Sequence, residues 1–127
     1  MRARLRGRRV RYLLLMAEAD HYAKWDRADE AQRQRVVADF RAFTAAVQER
    51  GSIVAGEALA HPDLARTVRP GEPGDRAVTD GPYAESVEQV GGFYLLDLPV
   101  DEDPGVLAAL LPREYAVEVR PVVEVDL

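Results

Sequence analysis

Two short apolar runs constrain the fold of this 127-residue chain more than any other feature. Residues 13–16 (LLLM) and residues 93–98 (FYLLDL) are apolar at nearly every position and do not alternate with polar residues. Such runs are typical of β-strands buried on both faces, and they are far shorter than the roughly 20 residues of a membrane-spanning helix. Other elements must therefore lie on both sides of these strands.

The clearest helix lies between the two runs, at residues 29–50. Its apolar residues recur at three- and four-residue steps: Val36, Phe40, Phe43 and Val47. This period places them on one face of a helix that packs against the sheet. Asp26 or Asp29 is the predicted cap at its start, and Gly51 is predicted to end it in a left-handed conformation.

The remaining segments complete a β-α-β order that occurs twice. The predicted strands are residues 10–17, 52–59, 93–98 and 115–125, with a hairpin at residues 65–69 and 76–79, one possible helical turn within 84–90, and a second helix at 106–111. This order predicts an α+β fold with the ferredoxin-like βαβ-βαβ split sheet and an inserted β-hairpin.

Two helices cover only one face of a four-stranded sheet, although the predicted central strands are apolar on both. A second copy of the chain, packed sheet against sheet around a twofold axis, is the commonest way to cover the other face. The sequence therefore predicts a homodimer.

The composition excludes several classes of function. With 47% hydrophobic and 31% charged residues, the chain is typical of soluble globular domains. It has no cysteine, which removes disulfides, thiolate metal sites, iron–sulfur clusters and thiol nucleophiles. No segment is predicted to enter a membrane, so the expected location is cytoplasmic. The net charge of −5 argues against a nucleic-acid partner.

The amino-terminal segment differs from the rest in charge. Six arginines fall within the first eleven residues: Arg2, Arg4, Arg6, Arg8, Arg9 and Arg11. We interpret residues 1–9 as a basic flexible leader and residues 10–127 as a single domain. A nucleic-acid-binding arm is the lower-ranked alternative, and its affinity would fall steeply with salt.

One segment carries a family resemblance. Residues 78–95 read VTDGPYAESVEQVGGFYL and resemble the signature of DGPF-type proteins in the YCII-related family, close to VTDGPFAETKEQLGGFYL. Supporting stretches lie at residues 11–15, 56–59 and 117–122. The chain departs from this signature at Tyr83, where the family has Phe, at Ser86, where it has Thr, and at Val87, where it has Lys.

The resemblance implies a ferredoxin-like domain that dimerises into an α/β barrel with a cleft between sheet and loops. Some relatives resemble dehydrochlorinases or isomerases of ring compounds, and others are linked to sigma-factor genes. Two functions therefore stay open: an enzyme of the lyase or isomerase type acting on a small cyclic molecule, and a non-catalytic ligand-sensing or regulatory dimer.

Four residues are candidate acid/base groups: Asp80, Glu85, Glu57 and His21. The three carboxylates would converge on one cleft, where burial of one carboxyl would raise its pKa while a neighbour stays ionised. His21 follows the first strand, and Asp20 or Asp26 would orient its imidazole. The alternatives are that Asp80 binds its own turn amides, that Glu85 faces water and that His21 is an exposed loop residue.

The candidate ligand-binding residues are aromatic: Tyr83, Trp25 and Tyr94, with Tyr22 nearby. Such residues line pockets for small rings, and they equally form cores or dimer contacts. His21 and His61 are forty residues apart without a paired motif, so no metal site is predicted. No phosphate-binding or dinucleotide-binding glycine pattern occurs, and no cofactor is expected.

Overall fold

The structure is a computed structural model that describes residues 2–4, 8–84 and 86–127. The strands are β1 (Arg2–Arg4), β2 (Arg9–Ala19), β3 (Ser52–Ala58), β4 (Arg66–Val68), β5 (Val78–Asp80), β6 (Glu88–Pro99), β7 (Ala116–Pro121) and β8 (Glu124–Asp126). The helices are α1 (His21–Arg27), α2 (Glu30–Arg50) and α3 (Pro104–Ala108), and a single 3-10 turn spans Pro62–Leu64. None of the helices in this part of the chain is both long enough and apolar enough to span a membrane.

The main sheet has four strands in the order β3-β6-β2-β7, and every neighbouring pair is antiparallel. The two apolar runs lie in β2 and β6, which are the central strands of this sheet. The predicted mixed α+β class is confirmed, and the strand order is consistent with the ferredoxin-like split arrangement.

Helix α2 begins and ends where the sequence predicts, with one correction. Asp29 caps it: its carboxylate accepts from the Gln32 amide at 2.8 Å, and the Gln32 side chain accepts from the Asp29 amide at 2.9 Å. The predicted left-handed end at Gly51 is wrong, because its φ is −171°. Glycine is needed there for space, since a Cβ would collide with the Asp97 carbonyl oxygen.

The core lies between the sheet and helices α2 and α3. Leu14, Leu96, Leu98, Phe43 and Val47 are all fully buried. Leu107 and Leu111 close the end of this cluster. Burying a side chain of this size contributes about 1.5–3 kcal/mol to folding, so these contacts dominate the stability of the domain.

The predicted hairpin is confirmed as a separate two-stranded sheet. Strands β4 and β5 pair antiparallel, with Thr67 opposite Thr79. The Thr67 hydroxyl donates to the Gly81 carbonyl oxygen at 2.7 Å, and Gly81 has a φ of +96° that favours glycine. The hairpin therefore stands apart from the main sheet.

Three features differ from the sequence expectations. Helix α1 was not predicted. The possible helical turn within residues 84–90 is absent from the described part of that segment, because bends lead directly into β6 at Glu88. The last predicted strand is interrupted at residues 122–123, and β8 pairs with β1 instead of extending the main sheet.

The backbone of β1 brings part of the basic leader beside the acidic carboxy-terminal strand, with Arg2 opposite Asp126 and Arg4 opposite Glu124. Residues 1 and 5–7 lie outside the described residues. The flexible leader and the nucleic-acid arm both stay predictions.

Candidate functional site

A cavity of about 510 Å³ lies on the helix-facing side of the sheet, next to the end of the hydrophobic core. Its walls come from the ends of β2, β3 and β6, from α1, and from the amino-terminal half of α2. Its lining includes the side chains of Met16, His21, Trp25, Phe40, Tyr94 and Tyr115. Cavities of this size hold small organic ligands in other proteins.

Three glycines line this cavity. Gly56, Gly91 and Gly92 occupy the neighbouring edges of β3 and β6. A Cβ on Gly92 would lie 3.0 Å from Met16 Cε and 3.1 Å from the Glu57 carbonyl oxygen, which is tighter than ordinary van der Waals contact. Close approach of the strands therefore favours glycine at this position.

A contact between an imidazole and a buried carboxylate lies beside the cavity. His21 Nδ1 lies 2.7 Å from Glu18 Oε2, and Glu18 is only 7% exposed. Lys24 Nζ lies 3.5 Å from the other carboxylate oxygen and offsets its negative charge. This arrangement satisfies a carboxylate that burial alone would strongly disfavour.

The local backbone explains why these side chains meet. Glu18 is on the same face of β2 as the core residues Leu14 and Met16, because strand side chains alternate. Asp20 then takes a left-handed conformation with a φ of 51°, which ends the strand and starts α1 at His21. The turn brings the imidazole back over the Glu18 carboxylate. A left-handed non-glycine residue is uncommon and is found more often at functional sites.

The hydrogen bond defines the chemistry of the imidazole. When Glu18 is ionised its carboxylate only accepts hydrogen bonds, so Nδ1 donates, and in the neutral imidazole Nε2 then carries the lone pair. The His21 side chain is 23% exposed and borders three adjoining cavities. An imidazole oriented by a carboxylate can take up a proton from a ligand and return it.

Two tyrosines that line the cavity have raised pKa values. The Tyr115 ring centroid lies 5.4 Å from that of His21. Burial, with a smaller effect of the Glu18 charge, raises the pKa of Tyr115 to about 12. Burial also raises the pKa of Tyr94. The centroid of its ring lies 4.8 Å from that of Phe43 and 6.5 Å from that of Phe40. Both phenols therefore keep their protons at neutral pH.

Trp25 also lines the cavity, and Arg33 holds it in place. The Arg33 guanidinium lies 5.2 Å from the ring centroid, and its Nη2 donates to the Trp25 carbonyl oxygen at 2.9 Å.

Tyr22 contacts His21 and His61 with ring centroids 5.0 Å away in each case. Its hydroxyl donates to the Leu59 carbonyl oxygen, which fixes α1 against the chain that follows β3.

The structure brings together some of the predicted site residues and separates others. His21, Trp25 and Tyr94 line one cavity. Glu57 contributes to its rim, but it pairs with Phe93, which places its side chain on the sheet face away from the helices. Asp80 is exposed at the end of β5, and Tyr83 is 80% exposed on the hairpin side. Glu85 lies outside the described residues.

Sequence reasoning missed two members of the site. The predicted partner of His21 was Asp20 or Asp26, whereas the structure shows Glu18. The signal was present: Glu18 continues the alternation of Leu14 and Met16, and His21 follows three residues later. Tyr115 carried no such signal, because only the pairing of β7 with β2, with Ala116 opposite Ala17, brings it near.

Among the residues that the structure describes, no group of three His, Asp or Glu side chains could hold a metal ion. The titratable side chains described above at the site are an imidazole, a carboxylate and two phenols.

The fold and the cavity define a small α+β domain with a ligand-sized cleft between its sheet and helices. The family model of the YCII-related domain matches residues 10–125. The chain therefore belongs to the YCII-related family, as the resemblance of residues 78–95 predicted. No curated protein matches it in a sequence comparison.

Proposed function

We propose that this YCII-related protein is an enzyme of the lyase or isomerase type that moves a proton on a small cyclic organic molecule. The observation that carries the proposal is the His21–Glu18 pair, with 2.7 Å between Nδ1 and Oε2, beside an aromatic-walled cavity of about 510 Å³. Such a cavity accommodates a ring, and the free Nε2 is available as the base.

The two residues of the pair have different roles. His21 accepts the proton and returns it, while Glu18 holds the imidazole in one tautomer and stabilises its positive form. Trp25, Phe40 and Tyr94 exclude water and contact the ring faces. No cofactor takes part in this proton transfer.

A screen for ligands by thermal stability tests the proposal, since a ligand bound only by the folded protein raises the melting temperature. The panel contains small cyclic acids, lactones and phenols. We expect at least one class to raise the melting temperature of the wild type, and turnover of that class to be lost in His21→Asn and reduced in Glu18→Gln. The matched control is His61→Asn, because the His61 ring is half exposed and does not line this cavity. If no compound stabilises the protein at millimolar concentration, the proposal is wrong.

We also propose that the domain is a DGPF-type homodimer that forms an α/β barrel through the uncovered face of its sheet. Leu13 and Leu15 of β2 pair with Leu95 and Phe93 of β6 on the face opposite the helices. All four side chains are partly exposed, although they lie at the centre of the sheet. An apolar strip in this position favours a second copy of the same surface.

Sedimentation tests the dimer with two matched substitutions. Leu15→Glu places a charge on the uncovered face and is expected to shift the protein from dimer to monomer. Val106→Glu places the same charge on α3, where the side chain is already 67% exposed, and is expected to leave the dimer intact. A wild-type protein that sediments as a monomer at micromolar concentration would contradict this proposal.

The second candidate function is a ligand-sensing or regulatory dimer, linked in some relatives to a sigma factor. It is favoured by the surface of the family signature segment, where Tyr83 and Val87 are each about 80% exposed and Asp80 lies outside the cavity. Contiguous exposed apolar side chains mark protein interaction sites, and a partner that covers this segment would bury both residues. Ligand binding without turnover in the screen would select this function.

A further inference from the structure

Three tyrosines at the cavity differ in the hydrogen bonds that their hydroxyls make. The Tyr22 hydroxyl donates to the Leu59 carbonyl oxygen. The hydroxyls of Tyr94 and Tyr115 make no hydrogen bond to any residue in the described part of the chain, although both side chains line the cavity. A partly buried phenol without a protein partner is available to a ligand.

Tyr115 lies beside the candidate base, His21. It borders both the main cavity and the adjoining cavity of about 300 Å³, and His21 borders both as well. The two ring planes are inclined at 44° with 5.4 Å between centroids. A ring held against Trp25 and Phe40 would therefore lie near both an imidazole and a phenol.

We propose that Tyr115 donates a hydrogen bond to the carbonyl oxygen of the substrate while His21 removes a proton from the adjacent carbon, so that the substrate is an enolisable ring ketone or lactone. This inference rests on the proposed function and deepens it by naming the substrate class.

The step balances within the protein and the substrate. The C–H bond breaks, its proton moves to His21 Nε2, and its electron pair forms a C=C bond as the carbonyl electrons move onto oxygen. Tyr115 stabilises that oxygen without losing its own proton. When a C=C bond adjoins the deprotonated carbon, the electron pair spreads over a dienolate, and return of the proton from His21 to its far carbon gives an isomer with the double bond moved; no oxidant or reductant is required.

The environment of Tyr115 suits a donor. Burial and the Glu18 charge raise its pKa to about 12, so the phenol stays neutral over the whole physiological range. Donors placed where negative charge develops are among the largest contributors to enzymatic rate. Tyr94 lies on the same cavity and can supply a second donor.

Two ring probes test the inference: para-nitrophenol, whose phenolate resembles an enolate and is yellow, and toluene, which has no oxygen. At a pH below its own pKa, free para-nitrophenol is neutral and colourless. We expect binding to the wild type to produce the yellow phenolate, because His21 takes the proton and Tyr115 donates to the oxygen. We expect Tyr115→Phe to weaken phenolate binding about tenfold or more and to leave toluene binding unchanged. Tyr12→Phe is the matched control, since it removes a phenol hydroxyl outside the cavity.

The outcomes separate this inference from the proposed function. If toluene and para-nitrophenol both bind, but the bound nitrophenol stays colourless or Tyr115→Phe changes nothing, the role of Tyr115 is overturned and ring binding stands. If neither probe binds the wild type but another ring of the panel does, this inference is overturned and the proposed function stands; if no ring of the panel binds either, the proposed function fails as well.

A second measurement covers the case in which Tyr115→Phe does not fold. Phenols of graded acidity are titrated into the wild type, and affinity is compared with the pKa of each phenol. Affinity that rises as the phenol becomes more acidic supports a site built for an oxyanion. Affinity that follows size alone overturns the inference.

Discussion

The two ends of one sheet face behave in opposite ways. At one end, Leu14, Leu96 and Leu98 pack against Phe43 and Val47 of the carboxy-terminal half of α2, and all five are fully buried. At the other end, β2 carries Met16 and Glu18 and β6 carries Gly92, and the amino-terminal half of α2 borders an open cavity. We call these the closed end and the open end.

The difference shows how one scaffold separates stability from chemistry. The closed end is filled by branched and aromatic side chains, which supply the free energy of folding. The open end has glycines and a carboxylate in place of these side chains. Its local packing density is therefore lower, and a ligand has room to bind. The same alternation along β2 that places Leu14 in the core also places Glu18 beneath His21.

The largest expected effect is a contrast between two phenylalanines of α2. Phe43→Ala at the closed end should lower the free energy of unfolding by about 3–5 kcal/mol, because it leaves a cavity in a filled core. Phe40→Ala at the open end should cost roughly 1–2 kcal/mol, since its ring already borders open space. Urea denaturation measures both. Equal losses would show that the two ends are packed alike.

A glycine substitution sharpens the comparison from the open end. Gly92→Ala should destabilise the protein by about 1–3 kcal/mol and weaken binding of ring compounds, because its methyl group would crowd Met16 and the Glu57 backbone. Gly71→Ala is the matched control: its Cβ would make only ordinary contacts, and the change should stay within about 0.5 kcal/mol. Gly92→Ala with wild-type stability and binding would remove the role given to this glycine.

The smallest expected effect is the pH dependence of stability above pH 10. The pKa of Tyr115 is raised from 10.0 to about 12 in the folded protein. The unfolded chain therefore releases this proton first, and stability falls as pH rises between these two values. Two units correspond to an upper limit of about 2.7 kcal/mol, which solvent screening of the partly exposed ring reduces to about 1 kcal/mol. Tyr115→Phe should show a correspondingly shallower loss in alkaline urea titrations, and an unchanged slope would contradict the assignment.

The sequence predicts the closed end better than the open end. Helical period and strand composition located α2, β2, β3 and β6, because burial imposes patterns that recur along the chain. The end of α2 at Gly51 was predicted for the wrong reason, since contact with the Asp97 backbone is a tertiary effect. Asp29 as the cap followed from local chemistry alone.

The open end depends on long-range contacts. His21, Trp25 and Tyr94 were predicted as site residues from their types and their places beside strands, and the structure brings them to one cavity. Tyr115 joins them only through strand pairing across the sheet. Asp80 was predicted as a site residue because it lies in the signature segment. Strands β4 and β5 pair with each other, however, and this hairpin holds Asp80 outside the cavity.

Exchange of carbon-bound hydrogen for deuterium tests the central claim most directly. Ring ketones and lactones are incubated with the protein in deuterated buffer, and loss of the proton signal beside the carbonyl is followed by NMR. The account predicts that the wild type accelerates exchange for at least one ring, and that His21→Asn abolishes this acceleration while His61→Asn does not. Rings that bind in the cavity without any accelerated exchange would contradict proton transfer and leave a binding protein.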